Sequence, residues 1–140
     1  MSASKDTRWI QRFSNYKRAI TLLREMVQGE VELLALEPIA KEGTIQRFEY
    51  TFELAWKTLK DKMEHDGLVF ERVSPKYVLK LAYQTKYITN IEIWLEMSND
   101  RNLLSHTYNF ATFDVILSKI ASDYFAALDS LYTQLLEEQL

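Results

Sequence analysis

TIQRFEYTFELAWKTLKDKMEH, residues 44–65, decides how the rest of the chain is read. Ile45, Phe48, Phe52, Ala55, Trp56, Leu59 and Met63 recur at steps of three and four, the period of an amphipathic α-helix and not the alternation of a strand. Gly67 supplies a stop just beyond it. Toward the N-terminus, Trp9, Phe13, Tyr16, Ile20, Leu23 and Val27 alternate steps of four and three. That is the seam of a helix that packs in a bundle, over about residues 6–28, with Gly29 placed for a left-handed cap. Residues 30–43 read as a connection with a helical turn on either side of Pro38, because Pro38 and Gly43 interrupt any long element.

Toward the C-terminus, Ser74-Pro75 marks a helix start, serine as the cap and proline in the first turn. Val78, Leu79, Ala82 and Tyr83 carry that helix to about Lys86. Thr89 or Asn90 caps the next, with Ile91, Trp94, Leu95 and Ser98 on its apolar side. Thr112 is expected to cap a last long helix through Ile116, Ile120, Tyr124, Leu128, Leu131 and Leu135. All three glycines (29, 43, 67) and both prolines (38, 75) then fall in joints. Punctuation and periodicity agree on an all-α chain: an antiparallel up-and-down bundle of about five helices, four-helix-bundle-like, one domain over residues 1–140.

Apolar residues make up 47% of the 140, ordinary for a globular domain and too many for a disordered one. No apolar run is long enough to span a bilayer, and Met1–Asp6 lacks the apolar core of a secretory signal. The absence of cysteine excludes disulfides and thiolate metal sites and fits a cytoplasmic location. With two histidines, His65 and His106, no metal site and no cofactor is expected. His65, near a helix end, reads as a residue favoured by the helix dipole. Charge is uneven: residues 1–29 set six cations against Asp6 and Glu25, whereas residues 30–70 and 112–140 are each net −4. The basic first helix is either a phosphate-facing strip or, more simply, a solvated face.

The chemistry-bearing stretch is DRNLLSHTYN, residues 100–109, which holds the spacing R-x4-H-x-Y in Arg101, His106 and Tyr108. If the stretch is helical, Arg101 and Tyr108 return to one face, and His106 stacks over Asn102 on a neighbouring one. All could border one cleft. The bland alternative is a solvated turn with a capping histidine, and Tyr108 packing its ring. Glu49, Glu53 and Lys57, at i, i+4 and i+8, read as a surface ion-pair ladder or, less simply, as carboxylates for a cation or for acid–base work.

The string 100–109 resembles the signature of the HEPN superfamily, in the branch with R-x4-H-x-Y whose members are encoded beside minimal nucleotidyltransferases. Residues 45–61 resemble the most recognisable helix of the nucleotidyltransferase substrate-binding proteins, the same branch. With Ser74-Pro75 in order between them, the resemblance covers most of the chain except residues 30–43 and the last dozen. It implies a toxin of a toxin–antitoxin pair, working as a two-fold homodimer. The toxin would be a ribonuclease using Arg101 and His106, silenced when the partner nucleotidyltransferase transfers AMP to the residue at Tyr108.

The residue types suit that chemistry. Arginine keeps its charge at any working pH and offers a fork for phosphate oxygens. Histidine moves a proton near neutrality. Together they suffice, without metal, for cleavage of RNA by the neighbouring 2′-hydroxyl. Asp100, Asn102 and Ser105 are the supporting, phosphate-binding candidates. The rival reading is a non-catalytic subunit that binds a substrate or nucleotide for its partner nucleotidyltransferase, and a plain helical scaffold is the third.

Overall fold

The structure, a computed structural model, describes residues 3–139; Met1, Ser2 and Leu140, the ends of the expected domain, lie outside the described residues. Helix α1 spans Ala3–Val27, α2 Pro38–His65, α3 Pro75–Gln84 and α4 Ile91–Leu104. α5 (Phe110–Lys119) runs through a wide π turn (Ile120–Tyr124) into α6 (Phe125–Gln139), so the last three elements form one rod. Among the described residues there is no strand, and the expected all-α bundle is what forms.

Contacts between helices give the topology. Between α1 and α2, Arg8 meets Glu64, Arg12 meets Asp61, and Arg47 donates to the Leu22 carbonyl. One number falls as the other rises, so the helices are antiparallel. The same holds for α2 and α4, where Phe52 faces Trp94 and Glu49 faces Arg101. It holds again for α1 and the terminal rod, where Phe13 stacks on Tyr132 and Arg24 lies over Phe125. The seam of α1 points inward as its spacing demands: Trp9, Phe13, Tyr16, Ile20 and Leu23 are all buried. Much of the basic charge of α1 is used internally, since Arg8, Arg12 and Arg24 pair with carboxylates of α2 and α6.

Four local expectations need correction. α2 begins at Pro38, not Thr44, and Gly43 lies inside it with nothing crowding its α-carbon. Proline costs nothing in the first turn, where its missing N–H has no partner to lose. One glycine costs a 28-residue helix only about 1 kcal/mol. Gly29 is not left-handed; a side chain there would crowd the Glu25 carbonyl at 3.0 Å. The left-handed cap is found at Gly67, with φ at +101°, where the Gly67 and Leu68 amides bond back to Glu64 and Met63. Third, α4 stops at Leu104, so the stretch 100–109 is half helix and half loop. Asn109, not Thr112, caps α5, its Oδ1 accepting from Ala111 at 2.8 Å and Thr112 at 3.2 Å.

Candidate functional site

The stretch 100–109 divides by orientation as well as by conformation. Asp100 turns inward. Its Oδ2 accepts from the buried Tyr124 hydroxyl at 2.6 Å and from Lys119 at 3.2 Å, and Lys119 also pairs with Glu96 at 3.0 Å. The π turn delivers Tyr124 to this position, where its ring also stacks on Phe48 of α2 at 5.5 Å. Burial, then the hydrogen bond to Asp100, pushes the Tyr124 phenol far above its ordinary 10.0. Burial pulls the Lys119 ammonium down, but its bonds to Glu96 and Asp100 outweigh that and hold it above 10.5. Asp100 therefore ties α4 to the terminal rod through its Oδ2.

Arg101, one residue on, faces outward across α2. Its guanidinium lies 3.5 Å from Glu49, and its Nε is buried without a hydrogen-bond partner. Burial raises the Glu49 carboxyl above 4.5, and the charge of Arg101 offsets only part of that rise. Arg101, Gln46, Glu49, Tyr50 and Glu53 line a hollow of about 330 Å³. A second hollow, of about 420 Å³, is lined by Ser105, His106 and Tyr108 from the loop and by Glu42, Gln46 and Glu49 from α2. Gln46 and Glu49 form the common wall. Arg101 and His106 thus open onto adjoining halves of one groove, reached by helix end and loop and not by a shared helical face.

The loop is held by short-range bonds. Ser105 caps α4, its Oγ donating to the Asn102 carbonyl at 2.7 Å, and the His106 amide bonds to the Leu103 carbonyl. Ser105 faces the His106 hollow, but its hydroxyl is occupied; Asn102 is exposed beside Arg101. His106 itself is exposed. Tyr108 is 71% exposed, its ring edge-on to Phe110 and Phe113. A hydrogen bond to Glu42 is the main cause holding its phenol above 10.0. The two residues not foreseen are Glu42 and Gln46, along with the part Glu49 takes. Glu42, Gln46, Glu49 and Glu53 recur at steps of four, three and four, a polar stripe visible only once the helix is carried back through Gly43.

Among the described residues, no group of three or more His, Asp or Glu side chains is arranged to hold a metal ion. No described helix is long and apolar enough to cross a membrane.

Residues 11–137 match the family model described as nucleotidyltransferase substrate binding protein like. Over 70 residues the chain is 30% identical to a probable ribonuclease HepT of Haemophilus influenzae, an alignment that spans 48% of each protein. A crystal structure of a Thermus thermophilus protein superposes with a TM-score of 0.73 at 32% identity, covering 86% of this chain and 98% of that one.

Proposed function

Because the chain belongs to the HEPN-like family of nucleotidyltransferase substrate-binding proteins, we propose that it is the toxin of a two-component pair. In this reading it is a metal-independent endoribonuclease that a partner minimal nucleotidyltransferase silences by AMP transfer to Tyr108. The family itself implies a nucleotidyltransferase partner. The observation that carries the reading is the pair of adjoining hollows. Arg101 opens on one and His106 on the other, and the Tyr108 side chain stands exposed at the rim.

Arg101 stabilises the charge that gathers on phosphorus, and His106 moves a proton. Asn102 and Ser105 border the bound phosphate, while Asp100 fixes the helix that presents Arg101. Two copies would face each other across a two-fold axis, with the half-exposed Leu103 at the end of α4 in the shared surface. On AMP transfer, the Tyr108 oxygen bonds to the α-phosphorus of ATP, pyrophosphate leaves, and the phenol proton is released. The new phosphate then lies beside Arg101 and competes with RNA for it, and the nucleoside fills the groove.

A second reading has its own support. Glu42, Glu49 and Glu53 face the same groove and repel a polyanion, which suits a subunit that presents a small substrate to the nucleotidyltransferase. Unmodified protein incubated with RNA in EDTA separates the two, since only the ribonuclease cuts. Co-expression with the nucleotidyltransferase should add AMP mass to the Tyr108 peptide and remove cutting together. Diverse RNAs left intact by unmodified protein would hand the case to the second reading. Label on a residue other than Tyr108 would end the silencing mechanism.

A further inference from the structure

Cleavage by a neighbouring 2′-hydroxyl needs two proton movements: one off the attacking oxygen and one onto the departing 5′-oxygen. Within one protomer the groove holds one histidine, His106, which can make only one of them at a time. We propose, resting on the ribonuclease reading, that Glu49 is the second proton-transfer group: it takes the 2′-hydroxyl proton while His106 protonates the leaving oxygen.

Three observations carry this. Glu49 is in the wall common to the Arg101 hollow and the His106 hollow, so a phosphate reaching both must pass its carboxylate. Its side chain is 26% exposed, near enough to solvent to exchange protons and buried enough for its charge to be sensitive to its surroundings. It is also the residue that holds Arg101, at 3.5 Å, with the arginine Nε still lacking a partner. That ion pair couples the two roles. When the carboxylate accepts a proton, Arg101 loses its counter-charge at the moment negative charge builds on the phosphorane. The guanidinium is then free to bind the oxyanion, and its orphan Nε–H gains an acceptor.

The bonds balance. O2′ forms a bond to phosphorus and gives its proton to Glu49; the P–O5′ bond breaks and O5′ takes a proton from the His106 imidazolium. The products are a 2′,3′-cyclic phosphate and a 5′-hydroxyl, leaving Glu49 protonated and His106 neutral, each to be reset by water. Burial is the main influence on Glu49 and lifts its carboxyl above 4.5, toward the range where a general base works, while Arg101 opposes the rise. The other titratable groups facing it are Glu42, Tyr50 and Glu53 of its own helix, and His106 and Tyr108 of the loop.

The test is the pH dependence of kcat/KM for a fluorescent RNA oligonucleotide, in EDTA, with unmodified protein. Wild type should give a bell, its acid limb reporting the base and its alkaline limb the acid. Glu49→Gln should lose about 100- to 10,000-fold in rate and lose the acid limb. Glu49→Asp should keep the limb at a reduced rate. Circular dichroism and urea unfolding of both variants should match wild type. A Gln variant that keeps the acid limb at whatever rate would overturn the assignment and leave Glu49 as a support for Arg101. If wild type cuts RNA and Glu49→Gln cuts equally well, the assignment falls alone. If wild type cuts nothing at any pH, the ribonuclease reading falls and takes the assignment with it.

Discussion

Two tyrosine–carboxylate pairs flank the same ten-residue stretch, and they have opposite fates. Tyr124 donates to Asp100 in the interior, with its ring stacked against Phe48 and no surface left to solvent. Tyr108 donates to Glu42 at the surface, with 71% of the residue exposed. The chemistry of the two pairs is the same. In the first, low polarity makes the bond strong and its loss costly, so it fixes the angle between α4 and the terminal rod. In the second, water competes for both partners, so the bond orients the phenol without locking it away. Burial alone separates a structural clamp from an accessible phenol.

The contrast is sharpest between the neighbours Asp100 and Arg101, which can be made to trade effects. Arg101→Ala and His106→Ala should each lower RNA cleavage about 100- to 1000-fold, the usual loss when one stabilising donor or proton carrier is removed. Their circular dichroism spectra and thermal midpoints should stay near wild type, because Arg101 makes a single ion pair, at 3.5 Å, with a carboxylate that still reaches solvent, and His106 is exposed. Asp100→Ala should do the reverse. It orphans the buried Tyr124 hydroxyl and half-frees Lys119, at a cost of about 1–3 kcal/mol, read as a lower urea midpoint with an unchanged slope. Full stability of Asp100→Ala, or a large stability loss in Arg101→Ala, would erase the distinction between inward and outward halves.

How much of this was legible beforehand depends on which force sets each feature. The aromatic and aliphatic spacing of α1 and α2 reports burial directly, so the bundle and its seams could be read from residue order. Gly43 could not be placed, because one glycine weighs little against 28 residues of favourable packing, and reading it as a joint hid Glu42 from the site. Gln46, inside the expected helix, carries no chemistry that would single it out. Arg101, His106 and Tyr108 stood out through the resemblance of the whole string 100–109 to a known signature, since their spacing alone suits a solvated turn as well. The helix was expected to persist to about Thr107 and ends at Leu104. That break is set by the Ser105 cap of α4 and the Asn109 cap of α5. The spacing of Arg101 and Tyr108 suits a continuous helix equally well, so only the caps decide. The orientation of Asp100 was invisible because its partners, Lys119 and Tyr124, lie 19 and 24 residues away and Tyr124 reaches it through a π turn that no periodicity announces.

Asn109 stands between the two pairs and offers a milder probe. Its side chain closes the loop by accepting from two amides of α5, so Asn109→Ala should cost about 1 kcal/mol, typical for a lost N-cap. The loop carrying Tyr108 should loosen while the Tyr124 clamp persists. Hydrogen exchange should therefore accelerate at residues 105–111 and stay unchanged at residues 120–124. Acceleration of equal size in both segments would show that the two pairs form one cooperative unit.

The smallest effect lies in the alkaline stability of the two phenols. Tyr124 has a folded pKa far above the 10.0 of an exposed phenol, chiefly from burial and then from the hydrogen bond to Asp100. A group raised in this way contributes stability that is complete below pH 10 and is lost as pH rises from there toward its folded value. The loss arises because the unfolded chain gives up the proton while the native protein keeps it. By pH 10.5 the penalty from one such tyrosine is about 0.8 kcal/mol. Tyr124→Phe removes both the hydrogen bond, worth about 1 kcal/mol, and the penalty. It should therefore be less stable than wild type at pH 8 and nearly equal to it at pH 10.5, by urea unfolding at each pH. Tyr16 and Tyr87 are raised as well, so only the difference between variant and wild type isolates Tyr124. Tyr108→Phe should fall within about 0.5 kcal/mol of wild type at pH 8, as exposed positions do. Its gap to wild type should change with pH less than that of Tyr124→Phe, because water solvates the Tyr108 phenolate in the native protein too. A Tyr124→Phe gap that stays constant from pH 8 to pH 10.5 would mean that the phenol ionises as readily in the native protein as in the unfolded chain, and the clamp would be no tighter than the surface pair.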